Sequence, residues 1–215
     1  LDLLGLRSVS IVDRVCNLVG IKVDELNFND PFIYQQLQDF KTPHGCFQIE
    51  AETNFKVCKK VKPRNLEELS GDLALARPGA LEFVDQYANF TTNNQYEGIH
   101  EFFDSVLSGS GGVALYQEQL MKMSNKIGFT LDEAEVLRRI VGKKKVEEVK
   151  KWQEKIQDKI KENNLAPEIG DILWRILENS ANYSFNKSHS MSYAALAACT
   201  VYLKFKYPQH FFLAL

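Results

Sequence analysis

The chain has 215 residues, 45% hydrophobic, 11% aromatic and 25% charged. That is the ordinary mix of a globular protein, and it excludes disorder and collagen-like structure. The formal net charge of -2 excludes an overall polyelectrolyte that coats nucleic acid or membrane, so any such role has to come from a local patch.

The N-terminus lacks the basic segment, apolar core and small-residue cleavage site of a secretory leader. No uninterrupted apolar run approaches the ~20 residues a membrane span needs; the longest candidate, residues 194–203, contains Thr200. Cys16, Cys46, Cys58 and Cys199 form no C-x-x-C pair, so reduced, buried thiols in a cytosolic chain are expected rather than a zinc site or disulfide framework. Position 1 is not Met and the last residues are apolar, as expected of a piece of something longer.

No segment sustains the alternation that a half-buried strand requires, whereas helix starts and stops recur throughout, so a mainly α fold is expected. Ser8 or Ser10 opens an apolar-periodic stretch through Ile11, Val12, Val15, Leu18 and Val19, with Gly20 as its left-handed stop. Asp30-Pro31 starts a second helix. Further helices are expected over about residues 50–61, 66–75, 81–90 and 99–107, followed by a Gly/Ser loop at 108–112.

Thr130-Leu131-Asp132-Glu133 reads as a capping box whose helix ends at Gly142. From Lys145 onward, Val146, Val149, Trp152, Ile156 and Ile160 form one buried stripe on a charged helix. Pro167 opens a helix reaching about Tyr183, and after a polar break a small-residue helix through Ala194, Ala195, Ala197 and Ala198 runs towards Pro208.

Charge is unevenly distributed. Residues 138–161 contain ten Lys or Arg against four Asp or Glu. The lysines at 150, 151, 155, 159 and 161 either solvate a helix face, paired with Glu147, Glu148, Glu154 and Asp158, or form a nucleic-acid patch. Arg138, Arg139, Lys143, Lys144 and Lys145 differ, because they gather around Gly142, where a turn would let a phosphate approach closely. A second constellation, Tyr183-Ser184-Phe185-Asn186-Lys187-Ser188-His189-Ser190, places cation, imidazole, amide, hydroxyls and two rings at a helix boundary. It suits a nucleotide, with rings stacking and cations holding phosphate, and equally an elaborate helix cap. There is no P-loop, dinucleotide fingerprint, nucleophile motif or H-x-x-x-H pair, so an autonomous hydrolase or dehydrogenase is not expected.

Six separated strings together resemble the catalytic alpha subunit of bacterial DNA polymerase III, the C-family replicative polymerases. They are Asp2-Leu3-Leu4-Gly5-Leu6-Arg7, Gly45-Cys46-Phe47-Gln48-Ile49-Glu50, Leu73-Ala74-Leu75-Ala76-Arg77-Pro78-Gly79, Tyr116-Gln117-Glu118-Gln119, Leu137-Arg138-Arg139 with Gly142-Lys143-Lys144, and Phe185-Asn186-Lys187-Ser188-His189-Ser190. The resemblance spans nearly the whole chain. It implies that residues 1–7 end the palm, with at most a short β segment, and that residues 8–215 form a helical fingers domain.

Within that resemblance Asp2 is the implied catalytic carboxylate and magnesium ligand. Arg138, Arg139, Lys143, Lys144, Tyr183, Phe185, Asn186, Lys187, Ser188 and His189 are the implied surfaces that hold the incoming triphosphate and pack beside the nascent base pair. Gln48, Glu50, Arg77 and the Tyr116–Gln119 string are carried over as scaffold. The implied partners are primer-template DNA, deoxynucleoside triphosphates, the remainder of the polymerase chain and replisome subunits, with no membrane. The implied location is the cytoplasm of a bacterial or phage-infected cell.

Ala76 and Ala80 stand where the family more often has an aromatic and a proline, and Ser184 replaces its usual glycine. Nothing in the chain resembles the family's other two palm aspartates, so the isolated chain is expected to be inactive although its parent is an enzyme. Two rival readings are a non-enzymatic helical module that binds nucleic acid through residues 138–161, and a protein-interaction domain anchored by Phe102-Phe103 and Phe211-Phe212.

Overall fold

The structure, a computed structural model, describes residues 5–143 and 146–215. Asp2, Lys144, Lys145 and most of the expected palm segment lie outside them. The described residues form twelve α-helices and no strand, in agreement with the expected mainly α fold. No helix among them is long and apolar enough to cross a membrane.

The chain divides into two compact units, Leu1–Ala76 with Ser188–Leu215, and Arg77–Lys187. The first contains α1 (Arg7–Val19), α2 (Pro31–Gln38), α3 (Glu52–Val61), α4 (Leu66–Leu75) and α12 (Pro208–Ala214). The second contains α5 (Val84–Asn93), α6 (Glu101–Leu107), α7 (Gln117–Lys126), α8 (Leu131–Lys143), α9 (Val146–Glu162) and α10 (Pro167–Ser180). Helix α11 (Lys187–Lys206) starts on the last residue of the second unit and continues through the first.

In the first unit, α1 begins earlier than the serines suggest: Leu6 is its N-cap and gives no side-chain cap, and Ser8 and Ser10 lie inside the first turn. Its stop is as expected, with Gly20 at φ 77° and its amide donating to the Cys16 carbonyl. The Asp30 carboxylate accepts from the Phe32 amide at 2.9 Å, and Pro31 occupies the first helical position. Asn65 caps α4 through the Glu68 amide. The small residues Ala194, Ala197 and Ala198 of α11 are fully buried among Ile33, Leu37, Ile49 and Leu69. With only a Cβ each, they let neighbouring backbones approach closely.

The second unit is organised around Phe103, Leu120, Met123, Phe129, Leu137, Trp152, Ile156, Ile160, Leu173 and Leu177. The α9 stripe contributes three of these, as its spacing requires. The Thr130 box forms in both directions: the Thr130 amide donates to Glu133 at 2.9 Å and the Glu133 amide donates to the Thr130 hydroxyl at 3.2 Å. At the end of the Gly/Ser segment, Gly111 and Gly112 have φ of 64° and 81°, and a Cβ on Gly112 would lie 2.5 Å from the Glu97 carbonyl oxygen. No other residue fits there.

Two helices, α7 and α12, lie outside the expected set. Helix α7 follows Tyr116 rather than a short polar cap, and α12 follows Tyr207-Pro208 and buries only Phe211 and Ala214. Phe103 and Phe211 are fully buried. They are core residues rather than partner anchors, whereas Phe102 is partly buried and Phe212 is 55% exposed.

Asp72, on α4, is fully buried and neither of its carboxylate oxygens has a hydrogen-bond partner. Burial pushes its carboxyl up to about 8, and the neighbouring Cys58 thiol is too weak a donor to offset this. The folded state therefore holds a proton that the unfolded chain releases near the ordinary carboxylate pKa of about 3.9. The resulting stabilisation is fully present below that value and is lost as pH rises through about 8. Asp72→Asn should flatten this dependence and raise stability at pH 8 by on the order of 3 to 5 kcal/mol, measured by urea unfolding at pH 5 and pH 8.

Candidate functional site

In the second unit, the segment leading into α7 pairs with the segment leading into α11. The Phe185 amide donates to the Leu115 carbonyl and the Gln117 amide donates to the Phe185 carbonyl, both at 2.9 Å. Together they form an isolated parallel bridge between Tyr116 and Phe185. The Gln117 side chain adds a bond to the Ser184 carbonyl at 3.4 Å.

Gln119 fixes the near side of this buckle. Its Oε1 accepts from the Leu115 amide at 2.8 Å and the Tyr116 amide at 3.0 Å, while its Nε2 donates to the Ser110 hydroxyl at 2.7 Å. Glu118 fixes the far side, its carboxylate accepting from the Lys187 amide at 3.0 Å. An acidic group at the first residue of α11 is also where the helix dipole favours it. The Tyr116–Gln119 string, carried over only as scaffold, thus holds the Phe185–Lys187 string in place.

Side chains then converge on the buckle. The Arg77 guanidinium stacks over the Phe185 ring at 4.5 Å, and the Lys187 ammonium lies 5.4 Å from the centre of the Tyr116 ring. Asn186 is exposed, and Phe185 and Lys187 are partly so. Tyr183 is different: it is buried, packed on Phe83 with ring centres 5.0 Å apart, and its hydroxyl bonds to that of Ser180 at 2.9 Å. Burial pushes the Tyr183 phenol up to about 12. It forms the floor beneath the segment rather than an exposed stacking ring. The Ser184 hydroxyl is buried without a partner.

The turn expected at Gly142 is absent, because α8 continues through it to Lys143. A Cβ on Gly142 would lie 3.5 Å from the Asn182 side-chain oxygen and 3.7 Å from the Ala181 carbonyl. The basic end of α8 therefore runs beside the residues that lead into Tyr183–Lys187. Its last turn is also where the helix dipole favours cations.

Glu135, not singled out in the sequence, organises the arginine pair. Arg138 donates to both its oxygens, at 2.9 and 2.8 Å, and Arg139 donates to one at 2.7 Å. Arg138 holds the Glu135 carboxyl below the usual range, with Arg139 assisting. The two arginines are unequal: the Arg138 side chain is 14% exposed and the Arg139 side chain 65%. Spacings of three and four residues along a helix were the available signal for this triad.

Ser188 and His189 belong to the first unit. Ser188 is exposed and its carbonyl accepts from the Ser192 hydroxyl. The His189 ring rests on Tyr193 with centres 4.2 Å apart, and Tyr193 in turn meets Phe47 at 5.1 Å. The next residue, Ser190, is buried and hydrogen-bonded to the Ser70 carbonyl.

The rest of the basic stretch is balanced. Helix α9 carries Lys150, Lys151, Lys155, Lys159 and Lys161 beside Glu147, Glu148, Glu154, Asp158 and Glu162. Lys155 lies over Trp152 and Lys159 pairs with Glu162. Cationic character is thus concentrated at the end of α8. Among the described residues no cluster of three or more His, Cys, Asp or Glu could hold a metal ion.

Comparison with known proteins identifies the family. Residues 8–164 match the family described as the bacterial DNA polymerase III alpha subunit finger domain. The DNA polymerase III subunit alpha of Thermus aquaticus is 33% identical over 228 residues, covering 100% of this chain and 19% of that protein. That of Aquifex aeolicus is 36% identical over 222 residues, covering 99% and 19%, and that of Vibrio cholerae is 32% identical over 232 residues, covering 99% and 20%. The chain spans about a fifth of the length of these relatives. With its helices, its strings and its alignment in accord, the chain belongs to the finger-domain family of the bacterial DNA polymerase III alpha subunit.

Proposed function

We propose that this chain is the part of a replicative DNA polymerase that receives the incoming deoxynucleoside triphosphate and packs beside the nascent base pair during template-directed synthesis. The observation that carries the reading is the buckle of Leu115–Glu118 on Phe185–Lys187, with Arg77 stacked above Phe185 and the basic end of α8 alongside residues 181–182. It brings aromatic surface and cations together, the chemistry a nucleotide requires.

In this reading Arg139, more exposed and bonded to Glu135 by one nitrogen, presents its guanidinium to phosphate oxygens, and Lys143, Lys144 and Lys187 add positive charge. Arg138, clasped to Glu135, positions the pair. Phe185 and Asn186 face the base pair over the Tyr183 floor. Ser188 and His189 are assigned to the nucleotide by resemblance to the family alone. The cations stabilise charge that develops on the departing pyrophosphate.

Residues 1–7 end the palm and residues 8–215 form the fingers. Asp2 would be this chain's ligand to catalytic magnesium, which supplies the charge that activates the primer 3′ oxygen. The described residues contain no carboxylate cluster for such an ion, so the remaining ligands come from elsewhere in the complete polymerase. Its partners are primer-template DNA, the rest of the polymerase chain and replisome subunits, in the bacterial cytoplasm.

In the complete polymerase, Arg139→Ala should lower kcat/KM for nucleotide roughly 10- to 150-fold, the loss of one charge-assisted phosphate contact. Primer-template affinity should change little. Separate steady-state titrations of nucleotide and DNA test this; weakened DNA binding with unchanged nucleotide kinetics would instead assign the arginine to a nucleic-acid patch.

Arg138→Ala should also reduce stability by about 1 kcal/mol, because it leaves a partly buried Glu135 with one arginine, and thermal unfolding measures that. The isolated chain should show no primer extension in magnesium under conditions in which the complete polymerase extends fully.

A further inference from the structure

Among the described residues, four other than glycine have positive φ: Gln48 at 61°, Lys62 at 47°, Asn94 at 53° and Asn164 at 52°. Three of them terminate helices. Lys62 and Asn94 are the left-handed caps of α3 and α5, and Asn164 lies two residues beyond α9. Gln48 ends no helix. It sits at the tip of the loop between α2 and α3, in a conformation disfavoured for any residue with a Cβ.

That loop is held from several directions. The Lys204 ammonium, on a residue only 4% exposed, donates to the carbonyls of Thr42 and His44. The Phe47 amide donates to the Thr200 hydroxyl at 3.0 Å, and the Gly45 amide donates to Glu50 at 2.9 Å. Cys46 and Ile49, on either side of Phe47 and Gln48, are fully buried. Glu50 is therefore scaffold, as expected for this string.

Gln48 makes no such bond. Its side chain is exposed, and its carboxamide makes no hydrogen bond among the described residues. A loop anchored by a buried lysine thus presents one unpartnered amide on a strained backbone. Phe47 beside it begins the ring row Phe47, Tyr193 and His189. Strained, over-determined backbone that displays a polar group is a recurring property of contact sites.

We propose that Gln48 is a further nucleic-acid contact of this chain, its carboxamide hydrogen-bonding the base or sugar edge of the incoming nucleotide or of the primer-template duplex. An amide supplies both donor and acceptor and suits any base edge. The inference rests on the polymerase reading above.

The test uses the complete polymerase, with Gln48→Ala, Gln48→Gly and, as reference, Arg139→Ala. Probes are a labelled primer-template duplex and a single deoxynucleoside triphosphate. Gln48→Gly should keep or raise the thermal midpoint, because glycine accepts the left-handed conformation without strain. Both Gln48 variants should nonetheless lose roughly three- to tenfold in single-nucleotide addition, the loss of one neutral hydrogen bond.

A rise in nucleotide KM at saturating DNA assigns the contact to the incoming nucleotide; a rise in duplex Kd assigns it to the primer-template. Wild-type kinetics and duplex affinity in both variants would overturn the inference, as would a Gln48→Gly protein whose midpoint falls together with its activity. If Arg139→Ala is impaired while the Gln48 variants are not, only this inference fails. If none of the three alters nucleotide kinetics or duplex affinity, the polymerase reading of the site fails with it.

Discussion

Two hydrogen bonds, from Phe185 to Leu115 and from Gln117 to Phe185, hold the candidate site together. In a protein built from helices they are the one isolated bridge among the described residues. Each segment involved is the irregular lead-in to a helix, where backbone amides would otherwise lack partners. Pairing the two lead-ins satisfies both, and it fixes the register in which Arg77, Tyr116, Phe185 and Lys187 meet. Gln119 and Glu118 then lock each side from within α7.

Much of the helical layout was legible because its signals are local. The Asp30-Pro31 start, the Thr130 box and the α9 stripe depend on residues within one or two turns of each other; the first two occur as read, and of the stripe Trp152, Ile156 and Ile160 are buried while Val149 is only partly so. Helix α7 escaped because its cap is assembled by Gln119 reaching back to two amides, and because only Leu120 and Met123 are buried on its apolar side. Gly142 misled for the opposite reason. A glycine near the end of a helix signals a stop, but here its missing Cβ gives α8 room beside Ala181 and Asn182.

The site itself was half legible. Its cationic and aromatic residues stand out by composition, whereas what positions them does not, since Glu118, Gln119 and Glu135 act through contacts that only the fold creates or selects. Long-range polar contacts of the same kind support the first unit. Lys204 reaches Thr42 and His44, and Ser190 reaches Ser70, across more than a hundred residues of sequence. Such pairs leave no periodic trace.

Glu135 gives the arginine pair a property that a bare basic patch lacks. With no ligand, its carboxylate occupies Arg138 and Arg139 and keeps two adjacent guanidinium groups from repelling each other. On the proposed reading, an arriving phosphate exchanges with a counter-ion already in place. Such an ion-exchange site binds less tightly than two free arginines would and responds less steeply to added salt, because part of its charge is already compensated internally. It also has a way to let go, since the carboxylate re-forms its bonds as the anion leaves. Rapid turnover of a highly charged ligand is favoured by that arrangement.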